Sequence, residues 1–140
     1  MKCVFILVPA LCGALFSQRP IPVAISIQIE ANQWNRTKLL EKLNQQGFKQ
    51  GMKFVLPANN EKYDYRIVFT TGKTPNAIII NGTGATSEYD TGYAEVYDSL
   101  GEELFRLKNE AWWNEDSATN GTAKKIIKRL KEIRSKPRTK

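Results

Sequence analysis

The sequence predicts an α+β protein, a two-layer sandwich in which a mostly antiparallel sheet carries two helices on one face, in the order β-α-β-β-β-β-β-α. Three observations lead there. Apolar and polar residues alternate from Pro22 to Glu30 and again from Tyr63 to Thr71, the period-two signature of half-buried strands. Two other stretches, Asn35 to Gly47 and Ser117 to Arg134, space their apolar residues three and four apart, as a helix with one buried stripe does. Short strand patterns punctuated by turn residues lie between them, and two amphipathic helices are buried most economically against one face of a single sheet.

Taken in order, the first strand places Val23, Ile25, Ile27 and Ile29 on one face and Ala24, Ser26 and Gln28 on the other. The first helix is expected to start at Asn35, a capping residue type, to bury Leu39, Leu40 and Leu43, and to stop at Gly47. Trp34, one residue before that cap, would pack on Leu39 as a hydrophobic staple. Met52 to Leu56 reads as a short strand ended by Pro57, and Ala58 to Lys62 as a loop. In the strand from Tyr63, residues Tyr65, Ile67 and Phe69 face one way and Arg66, Val68 and Thr70 the other. A turn is expected at Gly72 to Asn76, a further short strand at Ala77 to Ile80, and a loop of low order around Gly82 and Gly84.

Gly92 to Asp98 and Glu103 to Ala111 flank a short segment containing Gly101, the pattern of an antiparallel hairpin. Trp112 and Trp113 follow, and regular β geometry sends neighbours to opposite faces. One is therefore expected in the core; the other would anchor a partner or cover the start of the last helix. That helix carries Ala123, Ile126, Ile127, Leu130 and Ile133 as its apolar stripe, with a basic opposite face.

At the amino terminus Lys2 precedes an uncharged run from Cys3 to Phe16, the charged and apolar regions of a secretory signal. A membrane-spanning helix needs about 20 predominantly apolar residues, and Pro9 and Gly13 interrupt this shorter run. Residues 1–18 are read as a cleaved signal, with Ala14 and Ser17 both fitting as the cleavage point. A single domain over 19–134 and a basic tail over 135–140 follow. The protein is then exported, periplasmic or extracellular, with no transmembrane span in its mature form. The alternatives are a first strand of a cytosolic fold, or lipid attachment at Cys12, where Pro9, Ala10 and Leu11 do not supply the usual leucine and small residues. Asn35, Asn81 and Asn120 each begin an Asn-X-Thr triplet. These are glycan acceptors in a eukaryotic secretory route and ordinary cap and turn chemistry in a bacterium.

The formal net charge is +7, yet nine of the 21 basic residues lie from Lys124 onward beside one acid, Glu132. The basicity belongs to the last helix and tail, an asymmetry that points to an anionic partner or to a solvated helix face. The chain has no histidine, and its two cysteines, Cys3 and Cys12, fall inside the signal. The commonest general base, the usual zinc ligands and any thiol nucleophile are thereby missing from the mature chain. No cofactor and no metal are expected. Carboxylates can still do acid and base work, and Glu88, Asp90, Glu95 and Asp98 are the candidates. Gly72-Lys73-Thr74 fails as a phosphate loop, because Ile67 stands where the first glycine belongs and Pro75 follows in place of a helix.

Two candidate binding surfaces remain. If Ala94, Val96, Phe105 and Leu107 face the helices, the other face of the hairpin presents Tyr93, Glu95 and Tyr97 beside Leu104, Arg106 and Lys108. Tyr93, Tyr97, Arg106 and Lys108 could then stack and hydrogen-bond a ligand, or simply pair across strands. The second surface is the basic helix, with Lys124, Lys125, Lys128, Arg129 and Lys131.

The run Leu39-Leu40-Glu41-Lys42-Leu43 before Gly47-Phe48, the strand opening Tyr63-Asp64-Tyr65, the Tyr93 to Asp98 strand turning at Gly101 into Leu104-Phe105, and a closing basic helix together resemble small bacterial cell-envelope α/β domains. The pattern is similar to the amino-terminal domain of the TolB protein and to accessory lipoproteins of the lipopolysaccharide or penicillin-binding-protein machinery. The resemblance implies a role in binding other envelope proteins and assigns no functional residue. The reading is a non-catalytic extracytoplasmic binding or accessory module for a protein or an anionic envelope component, with nucleic acid not expected as a partner. A small carboxylate-dependent hydrolase and a structural secreted protein without a specific ligand are the alternatives.

Overall fold

The computed structural model describes residues 21–59, 61–80, 83–111 and 114–136, with side chains described outside 74–80 and 83–88. The expected signal, the Trp112-Trp113 pair and the end of the basic tail lie outside the described residues. The elements are β1 (Val23–Glu30), α1 (Gln33–Phe48), β2 (Met52–Val55), β3 (Tyr65–Ile80), β4 (Thr83–Asp98), β5 (Glu103–Ala111) and α2 (Glu115–Ser135). They form an α+β two-layer sandwich, with one five-stranded open sheet in the order β2-β1-β3-β4-β5 and both helices on the same face.

The sheet is mixed. β1 pairs in parallel with β2 on one side and β3 on the other, and β3, β4 and β5 continue antiparallel. Parallel neighbours require a crossover, and α1 supplies it between β1 and β2. The alternation of β1 buries Ile25, Ile27 and Ile29, while Val23, at the strand's entry end, stays half exposed. Asp64 sets the start of β3 against β1, since its carboxylate accepts from the Ser26 N–H at 2.9 Å and its own N–H donates to the Ser26 carbonyl at 2.8 Å.

The first helix begins earlier than its capping residues predict. Asn32 is the N-cap, its Oδ1 accepting from the Asn35 N–H at 2.8 Å. Asn35 instead lies inside the first turn, on the buried stripe it forms with Leu39, Leu43 and Gly47. Trp34 falls off that stripe and is 66% exposed, so it staples nothing. Gly47 does not end the helix. An added Cβ there would press on the Phe54 ring and the Met52 carbonyl, so the glycine is what lets α1 lie close on β2, and the left-handed turn comes at Gly51 (φ 72°).

The expected turn at Gly72 to Asn76 is absent. β3 runs unbroken to Ile80, absorbing the predicted Ala77 to Ile80 strand, and β4 starts at Thr83, where a loop was expected around Gly84. The ladder continues through Lys73↔Asp90 and Pro75↔Glu88 to Ile80↔Thr83. Glycine and proline break a chain that has no pairing partner. Here β4 supplies one, and proline is tolerated where a strand has one edge without a ladder. The β4–β5 hairpin forms as predicted, with Gly101 at φ 87° in its turn.

The second helix is capped by Asn114, whose Oδ1 accepts from the Ser117 N–H at 2.8 Å, and carries Glu115 and Asp116 in its first turn, where acids complement the helix dipole. It buries Ala118, Thr119, Thr122, Ala123, Ile126, Ile127 and Leu130. One core joins this stripe to Leu39 and Leu43 of α1 and to Ile25, Ile27, Phe54, Ile67, Phe69, Val96 and Phe105 of the sheet. Each large side chain so buried contributes roughly 1.5–3 kcal/mol relative to exposure. Gly92 lets α2 approach β4, because a Cβ there would collide with the Thr122 hydroxyl. Among the described residues no helix is long and apolar enough to cross a membrane.

Candidate binding surfaces

The sheet face turned away from the helices brings together Tyr93, Tyr97, Arg106 and Lys108. Register explains it, since Tyr93 lies opposite Lys108 and Glu95 opposite Arg106, while Ala94 and Val96 point into the core. A bulge shifts the pairing so that Tyr97 meets Glu103. The extra residue is Leu104, which packs against the core and not on the open face where simple alternation placed it.

Charges on this face are matched to one another. Arg66 binds Glu30 at 3.0 Å and lies 4.3 Å from the centre of the Tyr97 ring. Tyr97 donates its hydroxyl to Glu95 at 2.5 Å. Arg106 forks onto Glu103 at 2.6 and 2.9 Å, Lys108 binds Glu110 at 2.7 Å, and its ammonium lies 5.8 Å from the Tyr93 ring centre. The hydrogen bond to Glu95 raises the Tyr97 phenol above its usual value, and Arg106 holds the Glu103 carboxyl below its own. Glu30 likewise raises Arg66, and Glu110 raises Lys108. A shallow depression of about 430 Å³ sits on this face, lined by Val68, Thr70, Tyr93 and Arg106 among others.

The five predicted cations of α2 do not form one patch. Lys125 turns toward the sheet edge, donating to the Lys108 carbonyl at 3.0 Å. Arg129 stacks 5.4 Å from the Phe105 ring centre and reaches Glu132 at 3.8 Å. Lys124, Lys128 and Lys131, at helical spacing, turn the other way. With Gln46 and Gln50 of α1 and with Ile127 they line a groove of about 390 Å³ between the two helices. Lys131 donates to Gln50 at 2.8 Å and Gln46 donates to Asn120 at 3.0 Å. Among the described residues, none of these three lysines has a carboxylate within ion-pair distance.

Other candidates have local duties. Asp98 accepts from the Leu100 and Glu102 N–H groups, both at 2.9 Å, and so shapes the β4–β5 turn. Glu95 is taken by Tyr97; the side chain of Glu88 lies outside the described ones. Among the described residues no group of His, Cys, Asp or Glu could hold a metal ion. Asn35 is 6% exposed and its amide donates to the Thr71 hydroxyl at 3.1 Å, so a glycan on that nitrogen would break a buried contact. Asn81 lies outside the described residues. Sequence reasoning placed Trp34 in a staple on Leu39 and so missed that it is exposed, with the Lys38 ammonium 5.1 Å from its ring centre. Its place off the four-residue spacing of Asn35, Leu39 and Leu43 was the available signal.

Neither a protein-family model nor a curated protein matches the sequence. Among solved structures, a minor lipoprotein from Acinetobacter baumannii is similar, at 11% identity and a TM-score of 0.52, over 79% of this chain and 94% of that one. A PDZ domain protein from Parabacteroides distasonis aligns at 12% identity and a TM-score of 0.46, over 83% of this chain and 32% of that one. This chain therefore spans about a third of the second protein. The likeness to the lipoprotein is one of fold.

Proposed function

We propose that this chain is a non-catalytic extracytoplasmic binding or accessory module, and that it holds an anionic component of the cell envelope over the groove between α1 and α2. The observation that carries this reading is the placement of Lys124, Lys128 and Lys131 around that groove without a carboxylate partner among the described residues. Cations not neutralised by their own protein are free to neutralise a ligand, and the neighbouring amides of Gln46 and Gln50 add hydrogen-bonding capacity. An envelope setting is supported by the signal-like segment 3–16 and by the fold shared with a bacterial lipoprotein. The non-catalytic part is supported by the structural use of Glu95 and Asp98. A second reading places a protein partner on the open sheet face. It is favoured by the depression beside Tyr93, whose mixed aromatic, aliphatic and paired charged lining suits a protein surface better than a polyanion.

Cosedimentation with phosphatidylglycerol vesicles tests the first reading. Wild-type protein should bind with an affinity that falls as salt rises. The triple variant Lys124→Gln, Lys128→Gln, Lys131→Gln should bind roughly a hundredfold more weakly, at about tenfold or less per lysine near an anionic surface. The pair Lys125→Gln, Arg129→Gln, turned toward β5, should bind nearly as wild type. Equal losses in both variants would reduce the groove to a share of overall charge and sink the assignment.

A further inference from the structure

We propose that the outer half of the β3–β4 hairpin is a self-association arm, whose β3 edge pairs antiparallel with the same edge of a second copy of this chain. The placement of the arm and the chemistry of its sequence lead to this, independently of the lysine groove.

Support for β3 from β1 ends at the Glu30↔Val68 pair, and support for β4 from β5 ends at Asp90↔Ala111. The β3–β4 ladder nevertheless continues to Ile80↔Thr83. Each strand thus runs seven residues past the last β5 pair, roughly 24 Å at ~3.4 Å per residue. Among the described residues no third strand flanks this extension. A two-stranded ribbon is marginally stable alone in water, and three or more strands, or a covering layer, are needed for independent stability.

Composition says what kind of company the arm takes. From Thr74 to Ser87 there is no charged residue, the longest such run after the one at residues 3–18. Exposed edges are ordinarily guarded by lysine, proline or inward charges. Here the guards, Lys73 and Pro75 on β3 and Glu88 and Asp90 on β4, stand only at the base of the arm. Beyond them β3 reads Asn76, Ala77, Ile78, Ile79, Ile80, and isoleucine is among the strongest strand formers.

A bilayer is a poor occupant, because the edge N–H and C=O groups of an open ribbon have no partners in hydrocarbon. Another strand satisfies them. An identical strand does so without bringing like charges together, since the edge has none, and antiparallel pairing about a twofold axis is self-complementary. Centred on Ile78, that pairing sets Asn76 of one copy opposite Ile80 of the other and joins two ribbons into a four-stranded sheet.

The test is sedimentation velocity on protein expressed from the whole sequence, comparing wild type with Ile78→Lys and Ile78→Glu, each checked for unchanged circular dichroism and thermal midpoint. Wild type should be a dimer, each variant alone a monomer, and their equimolar mixture a dimer again, because lysine then meets glutamate across the axis. Dimerisation undisturbed by either substitution, a monomeric wild type, or a mixture that stays monomeric would each overturn the proposal. Variants that lose structure are replaced by the double substitutions Asn76→Lys with Ile80→Lys and Asn76→Glu with Ile80→Glu, which set like charges opposite one another in each variant alone and opposite charges in the mixture, and are read by the same criteria.

Discussion

Tyr97 donates to Glu95 while Arg66 lies over its ring, and the bond holds the phenol above its usual value. The bond exists only while the phenol is protonated. Its contribution is therefore fully present below the unfolded tyrosine value of about 10 and is lost as pH rises through the raised folded value. Glu103 has the opposite sign. Its carboxyl is lowered by Arg106, so its contribution is present above the ordinary carboxylate range and is lost as pH falls through the lowered value. Replacing Glu95→Gln should bring the Tyr97 titration down toward about 10, read from ultraviolet absorbance against Tyr97→Phe. An unchanged titration would mean that the bond does not form in solution. These pairings explain why the open face, on which Tyr93, Tyr97, Arg106 and Lys108 lie, is less cationic than its residue list implies. Alternation reveals which side chains share a face; which acid each cation meets depends on cross-strand register and on the bulge at Leu104.

Among the elements, β2 is the shortest strand and lies at the sheet edge, where among the described residues it pairs with β1 alone. On its far side a residue of α1 reaches its backbone. The Asn44 amide donates to the Phe54 carbonyl at 3.0 Å and accepts from the Phe54 N–H at 2.8 Å, standing in for a strand neighbour. Asn44→Ala should cost about 1–3 kcal/mol in urea unfolding by leaving two part-buried backbone groups unpaired; a loss below experimental error would mean that water replaces the amide there.

Local patterns made β1, the β4–β5 hairpin and α2 legible, since each announces itself by alternation, turn glycine or apolar stripe. The long β3–β4 hairpin was not. Gly72 and Pro75 are strong local breakers, and the ladder that overrides them comes from residues 86–92, well along the chain. Asn81-Gly82, the dipeptide most typical of a two-residue hairpin connection, sits between the paired Ile80 and Thr83 and was the signal to weigh against them. The start of α1 was misplaced because Asn32 and Asn35 are both capping types. Only the spacing of Asn35, Leu39 and Leu43 shows the second to lie inside the helix.

At the scale of the molecule, the two layers separate two kinds of surface. The sheet face carries Tyr97 and cations engaged with carboxylates, and the groove on the helix face carries Lys124, Lys128 and Lys131, which among the described residues have no carboxylate within ion-pair distance. The sequence located the basicity of α2 but not its division, because helical spacing alone does not say that α1 ends beside Lys128 while β5 lies beside Arg129. The claim that the groove is the ligand site is tested most directly by titrating isotopically labelled protein with short-chain phosphatidylglycerol and following backbone and lysine side-chain resonances. The account predicts saturable shifts confined to Gln46, Gln50, Lys124, Lys128 and Lys131, abolished by the triple glutamine variant. Shifts centred on Tyr93, Tyr97 and Arg106, with the groove unmoved, would contradict it and transfer recognition to the open face of the sheet.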